Sequence, residues 1–274
     1  MTEETIAEDD NGRRIDRVLR KAYPAVPPGA IAGAVRRGEI RINGKRVKND
    51  TRVETGDRVR LPDWEHTGRE ADRDDRGNAS AQPGGQRRRS PAPQARITDN
   101  RIVSGEWSVP ILERSDDWIA LNKPQGLASH GEGGLDEIVR VVAREAGWWS
   151  DSLSFRPGPV HRLDRNTSGV QLFSLSTAGA QNLTEQLRRR TVSKIYLALV
   201  SGYLPRRTEV DRRLAYNRTG RTAVVEPQDD PAGDPTLRRL RFSSARTHFF
   251  PLGFTADQRT GLVAAVPETG RTHQ

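Results

Sequence analysis

Apolar residues recur with helical spacing at several points along the chain. Ile15, Val18, Leu19 and Ala22 stand at i, i+3, i+4 and i+7, which predicts a helix that buries this stripe and turns Arg14, Arg17, Arg20 and Lys21 elsewhere. Pro27 and Pro28 suit the entrance of a second helix, whose apolar face is Ile31, Ala34 and Val35. Gly38 can take the left-handed conformation that ends it, which leaves Arg36 and Arg37 at its carboxyl end. Glu39 to Ile42, Asn43-Gly44 and Lys45 to Val47 read as a hairpin, because Asn-Gly tolerates the positive φ of a type I′ turn. A closing strand, Asp57 to Leu61, follows Gly56.

Further along, Trp118 to Asn122 reads as a buried strand stopped by Lys123-Pro124-Gln125-Gly126, and Leu135, Ile138, Val139 and Val142 form another helical stripe. Val170 to Leu175 predicts a strand. Thr177 can cap a helix with inner face Ala180, Leu183 and Leu187, and Ile195 to Val200 predicts a further strand. There is no internal repeat, and the runs are too uneven for a parallel doubly wound sheet, so the expectation is a sheet-centred mixed α/β or α+β domain. Between these regions, His66 to about Arg101 is rich in Gly, Ser, Pro, Gln, Asp and Arg and nearly devoid of large apolar residues. Such a stretch cannot bury enough surface to offset its ordering entropy, and it reads as a flexible linker in which Arg87-Arg88-Arg89 is a solvated charge run or a phosphate contact.

Charge sharpens this division. The 274 residues carry a formal net charge of +9, and residues 12 to 62 hold fourteen Lys or Arg against five Asp or Glu, so this one segment accounts for the whole surplus. A compact basic module fits either a solvated basic face or a polyanion partner, of which nucleic acid is the commonest. With no cysteine, disulfide frameworks, thiolate nucleophiles and cysteine-ligated metals are excluded. No apolar run approaches the ~18 residues of a membrane span, and Met1-Thr2-Glu3-Glu4 is acidic where a signal peptide is basic, so a soluble cytoplasmic protein is expected. The five histidines stand far apart without metal-ligand spacing, and neither a glycine-rich phosphate loop nor a Gly-x-Ser-x-Gly elbow is present. No metal and no cofactor are expected.

The passage Pro157-Gly158-Pro159-Val160-His161-Arg162-Leu163-Asp164-Arg165-Asn166-Thr167-Ser168-Gly169 places a carboxylate between two arginines, with hydroxyls just beyond. Cations and hydroxyl donors favour an ionised carboxylate, as a nucleophile or general base requires. By themselves the letters fit better an Asp pinned by Arg in a tight turn, the commoner role of such a residue.

Two resemblances add to this. The two helices and basic hairpin, with Arg41 to Val47 and Gly56 to Val59, resemble the S-four-like RNA-binding domain, which implies phosphate contacts from Arg36, Arg37, Lys45, Arg46 and Lys48. His161 to Gly169 resembles the signature of the RluA-type pseudouridine synthases. Leu121 to Leu127, Lys194 to Gly202 and Thr269 to Gln274 are similar to three further motifs of that family, in the same order. The implied fold class is α+β: a small αα-β-hairpin RNA-binding domain over 12–62, a flexible linker over 63–108, and a mixed, mainly antiparallel sheet catalytic domain over 109–274.

The resemblance implies isomerisation of uridine to pseudouridine in structured RNA, with ribosomal large-subunit RNA as the expected partner and a monomer as the expected state. Asp164 is the implied nucleophile, Arg162 the side chain that fills the gap left by the flipped base, and Tyr196 the ring that stacks on the uracil. Lys194 and Lys123 are candidate phosphate contacts or ion-pair partners. The family pattern continues past the last motif with an apolar residue and an arginine that pairs with the catalytic aspartate, whereas this sequence stops at Gln274. An incomplete carboxyl end is therefore expected. The competing expectations are a non-catalytic RNA-binding or ribosome-assembly factor and, more distantly, a glycosylase releasing free uracil.

Overall fold

The computed structural model describes residues 1–64, 93–149, 152–217, 222–227, 237, 240–271 and 274. The chain forms two compact bodies, residues 1–185 and 186–274. The fold is α+β, and among the described residues every strand pairing within the sheets is antiparallel.

The first body begins with a small module. It contains β1 (Thr2–Thr5), a single 3-10 turn (Glu8–Asp10), α1 (Ile15–Ala22), α2 (Pro28–Arg37), β2 (Arg41–Ile42), β3 (Lys45–Arg46) and β4 (Arg58–Leu61), in sheet order β1-β4-β2-β3. The predicted stripes of both helices are buried. Gly38 ends α2 at φ 74°, a left-handed conformation that favours glycine; the Arg46 side chain lies across it, its Nε 2.2 Å from where a Cβ would stand, but this exposed chain can swing aside. Asn43 and Gly44 both have positive φ, 50° and 78°, as the hairpin turn requires. β1 was not foreseen: Thr-Glu-Glu-Thr lacks an apolar signal, yet it adds to β4 with Thr2 opposite Leu61 and Thr5 opposite Arg58. The sheet of the module therefore includes a strand that precedes the expected segment 12–62.

Its core unites Ile6, Ile15, Val18, Leu19, Ile31, Ile40, Val59 and Leu61 with a residue from far along the chain, Leu153, which is 2% exposed. Each such side chain contributes about 1.5–3 kcal/mol.

The second sheet comprises β5 (Arg96–Thr98), β6 (Arg101–Ser104), β7 (Trp107–Arg114), β8 (Trp118–Lys123), β9 (Gly158–Pro159) and β10 (Gly169–Ser174), in order β5-β6-β7-β8-β10-β9. Residues 96–107 were expected in the linker but form strands. Asp99 and Asn100, both at positive φ, make the turn between β5 and β6, and Ile102 and Val109 enter the core. The remainder of the expected linker, 65–92 with Arg87–Arg89, lies outside the described residues. α3 (Leu135–Glu145) buries Leu135, Ile138, Val139 and Val142, which join Ile119, Leu121 and Phe173 in one core.

α4 (Thr177–Arg189) starts as predicted but is capped by Ser176, whose hydroxyl accepts the Gly179 N–H at 2.9 Å. Thr177 already stands at the first helical position, one residue too late to reach that donor. A Cβ on Gly179 would lie 2.1 Å from the Asp117 carbonyl oxygen, so here glycine permits helix and strand end to touch. The expected inner face, Ala180, Leu183 and Leu187, is half-buried.

The second body holds β11 (Tyr196–Ser201), β12 (Thr208–Asn217), β13 (Thr222–Val225), β14 (Ser243–Phe254) and β15 (Thr260–Pro267), in order β11-β15-β14-β12-β13. Among the described residues no helix is long and apolar enough to cross a membrane.

Candidate active site

Asp164 lies on the loop between β9 and β10, half-buried, with Arg162 exposed two residues before it and Leu163 buried between them. The loop is held from behind. Gly169, where β10 begins, stands opposite Lys123, the last residue of β8, and in an antiparallel ladder such partners share a face. Lys123 is fully buried, and its ammonium donates to the carbonyls of Leu127 (2.8 Å), Pro124 (3.0 Å) and Arg165 (3.2 Å). The Arg165 carbonyl also accepts the Gly126 N–H at 2.8 Å. The turn Lys123–Leu127 and the Asp164 loop are therefore one hydrogen-bonded assembly.

Of the two expectations for Lys123, a phosphate contact or an ion-pair partner, this geometry disfavours the first. A side chain with no exposure and three carbonyl acceptors is not a phosphate contact. Burial pulls its ammonium below the usual lysine range, the Asp164 carboxylate counters that, and Arg165 adds to it. Lys123 is thus a buried positive charge behind Asp164.

Sequence reasoning missed two further supports. Ser129 Oγ accepts the Leu163 N–H (3.0 Å) and lies within donating distance of the Leu163 carbonyl (2.5 Å) and Gln171 Oε1 (3.0 Å). Gln171 in turn donates to the His161 carbonyl at 3.3 Å, and His161 Nε2 accepts the Leu172 N–H at 3.1 Å. Ser129 and Gln171 are 3% and 0% exposed. The one legible signal was Gln171, a polar residue two before Phe173 on the inward face of an otherwise apolar strand. Ser129→Ala removes the hydroxyl that bridges Leu163 and Gln171. It is expected to cost about 1–3 kcal/mol, and to lower kcat with little change in KM, as urea unfolding and steady-state turnover would show. Unchanged stability and kcat would mean that the loop holds its shape without Ser129.

Tyr196 and Lys194 lie in the second body. Tyr196 opens β11 opposite Ala265, half-buried. Lys194, also half-buried, approaches the last motif, its ammonium 3.5 Å from where a Cβ on Gly270 would stand. Burial and then the neighbouring Arg190 lower its pKa. The last motif folds back on β14: Gln274 donates to the Arg246 carbonyl (3.1 Å) and Thr247 Oγ1 (2.9 Å), and Arg271 donates to the Ser244 carbonyl (2.9 Å).

The expected RNA-contacting cations gather at the end of α2 and on the hairpin of the small module, but not all to equal effect. Arg37 is paired with Glu39 at 2.6 Å, and Arg46 donates to the Arg37 carbonyl at 2.9 Å. Arg36, Lys45 and Lys48 are exposed and form no ion pair among the described residues. A cleft of about 710 Å³ is lined in part by Arg13, Lys21, Phe155, Arg156 and Val160; Asp164 does not line it.

An RNA pseudouridylate synthase family model matches residues 117–274, and an S4 domain model matches residues 13–59. The chain belongs to the RNA pseudouridylate synthase family. Its enzymes are isomerases acting on RNA, so the assembly around Asp164 belongs to an RNA isomerase. The synthase is 34% identical to the ribosomal large subunit pseudouridine synthase C of Haemophilus influenzae, over 98% of this chain and 72% of that one. It is 33% identical to the protein of the same name from Escherichia coli K12, with 98% and 72% covered, and 30% identical to that of Vibrio parahaemolyticus, with 98% and 73% covered.

Proposed function

We propose that this synthase converts uridine to pseudouridine in large-subunit ribosomal RNA, in the cytoplasm, with Asp164 as its catalytic group. The observation that carries the reading is the Asp164 loop, fixed by Lys123, Ser129 and Gln171, with Asp164 half-buried and Arg162 exposed upon it. The named relatives support the substrate class.

The reaction breaks the bond from ribose C1′ to uracil N1, turns the ring within the site and joins C1′ to C5. N1 gains a proton and C5 loses one, so no redox partner or external energy source is required. Asp164 attacks or electrostatically supports the electron-poor centre, at ribose C1′ or uracil C6. The uridine must first leave its stack, which costs a few kcal/mol. Arg162, exposed two residues before Asp164, fills the vacated space. Tyr196 stacks on the flipped uracil and takes part in proton transfer at C5, and Lys194 contacts phosphate. The S4 domain contributes phosphate contacts through Arg36, Lys45 and Lys48, joined by Arg37 and Arg46 where RNA displaces their internal partners.

Mapping pseudouridines in large-subunit RNA from cells with and without the gene tests this reading. Loss of one or more sites, restored by the wild-type gene and not by an Asp164→Asn copy, is expected. An unchanged map would overturn it in favour of a non-catalytic RNA-binding role.

The charges of the small module carry a separate prediction. Changing Arg36, Lys45 and Lys48 together to Gln should weaken RNA binding and reduce the log–log salt slope by about 3, at roughly 0.9 per duplex phosphate neutralised. Affinity measured across a salt series checks this, and an unchanged slope would place the electrostatic contacts elsewhere.

A further inference from the structure

The small module is joined to the Asp164 loop by more than the chain between them. Asp10, on the turn Glu8–Asp10, is completely buried. One carboxylate oxygen accepts from the Ser152 hydroxyl (2.9 Å) and the Leu153 N–H (2.7 Å). The other accepts from the Ser154 N–H (3.2 Å) and the Ser154 hydroxyl. Leu153, between these serines, is inserted in the module's own apolar core. Arg13 donates to the Ser154 hydroxyl at 2.5 Å. The neighbouring Asp9 receives the Thr177 N–H, the first of α4, at 2.5 Å, and its carbonyl accepts the Thr177 hydroxyl at 3.1 Å.

Segment 152–155 leads directly into the catalytic loop. It is followed by β9, which pairs with β10, and then by Val160, whose N–H donates to the Leu172 carbonyl at 3.0 Å before the chain reaches His161 and Asp164. The carboxylate of the RNA-binding module thus fixes the start of the segment that runs through β9 into the Asp164 loop, and α4, which follows β10, is fastened to the same turn.

We propose that Asp10 is a positioning residue for the isomerisation: it locks the RNA-binding module to segment 152–155, so that bound RNA and the Asp164 loop are held in one register. The inference rests on the reading of Asp164 as the catalytic group. Asp10 touches no substrate in this scheme and acts only through the loop. A module locked in this way is a ruler, offering the catalytic loop a uridine at one fixed distance from the phosphates held at Arg36, Lys45 and Lys48. A module on a free tether would sample many distances.

The test compares the full chain with Asp10→Asn and Ser154→Ala. Asparagine keeps the shape but places an amide donor against backbone N–H donors. Ser154→Ala removes two bonds of the same lock, the hydroxyl's to Asp10 and Arg13's to the hydroxyl, while leaving those of the Ser152 hydroxyl and the Leu153 and Ser154 N–H groups to Asp10 in place. Two readouts are taken: hydrogen exchange of the amides of residues 153–155, and kcat and KM on a structured RNA containing the target uridine. For Asp10→Asn, exchange at 153–155 should rise at least tenfold, by an order-of-magnitude expectation for losing a buried acceptor. Its kcat should fall by roughly 10- to 100-fold, the cost of misplacing a reacting group by about 1 Å. KM should stay within about threefold, because the exposed cations are untouched. Ser154→Ala should move both readouts the same way, by less.

Unchanged exchange in both variants would show that no lock exists. Raised exchange with unchanged kcat would reduce Asp10 to a structural tie and overturn the positioning role. A rise in KM alone would do the same, by making Asp10 part of RNA binding. If the wild-type chain makes no pseudouridine, the functional reading falls and the positioning role with it, while the exchange data still decide whether the module is locked.

Discussion

Asp164→Asn is expected to reduce pseudouridine formation by three orders of magnitude or more, roughly the loss seen when a covalent-catalysis residue is removed, while RNA affinity stays within a few fold. The amide has the shape of the carboxylate but neither its charge nor its nucleophilicity. The loop should survive the change, because backbone groups of the loop are bonded independently of the carboxylate: the Thr167 N–H donates to the Asp164 carbonyl at 3.0 Å, and Leu163 and Arg165 are held by Ser129, Lys123 and Gly126. Tritium release from RNA labelled at uridine C5 measures turnover, and filter binding measures affinity. Substantial turnover by the variant would remove Asp164 from the chemistry. Loss of affinity in step with loss of turnover would instead indicate that the loop had collapsed.

Lys123→Met should be the most damaging single change behind the site. Methionine fills much of the same space but offers no donor. The Pro124 and Leu127 carbonyls lose the ammonium, and Arg165 keeps only the Gly126 N–H. At about 1–3 kcal/mol per buried group left without a partner, offset in part by no longer burying a charge, the loss should come to about 3 kcal/mol. That is large against the roughly 5–15 kcal/mol of a typical domain. Turnover should fall further than the folded fraction does, because the positive charge behind Asp164 disappears and the turn 124–127 separates from the catalytic loop. Urea unfolding followed by tritium release at a denaturant-free temperature where the variant is folded separates the two effects. A variant as stable and as active as the parent would show that the carbonyls find other donors and that the charge is dispensable.

Both variants concern the same assembly, and they explain why two motifs far apart in the chain accompany one another. Lys123-Pro124-Gln125-Gly126 supplies an ammonium and an N–H, and Arg165 supplies the carbonyl that both reach. The charge of Lys123 could be read from the sequence as a phosphate contact only because its burial could not.

Local pattern alone determined a good deal. The stripes of α1, α2 and α3, the glycine that ends α2 and the Asn-Gly turn between β2 and β3 follow from contacts a few residues long, so each is written in a short window. The motif around Asp164 likewise pointed to the chemistry, through its resemblance to a family. The tertiary structure decided what depends on a distant partner. Thr2–Thr5 becomes a strand only because β4 offers it an edge, and Arg96–Thr98 joins a sheet only because β6 and β7 continue it. Ser129 and Gln171 are ordinary polar letters until folding brings them together under Leu163. Asp10 shows the limit most clearly, because its partner Ser152 is 142 residues away. A buried carboxylate is stabilised or ruined by whatever donors lie opposite it, and no periodicity near residue 10 records that those donors are Ser152, Leu153 and Ser154.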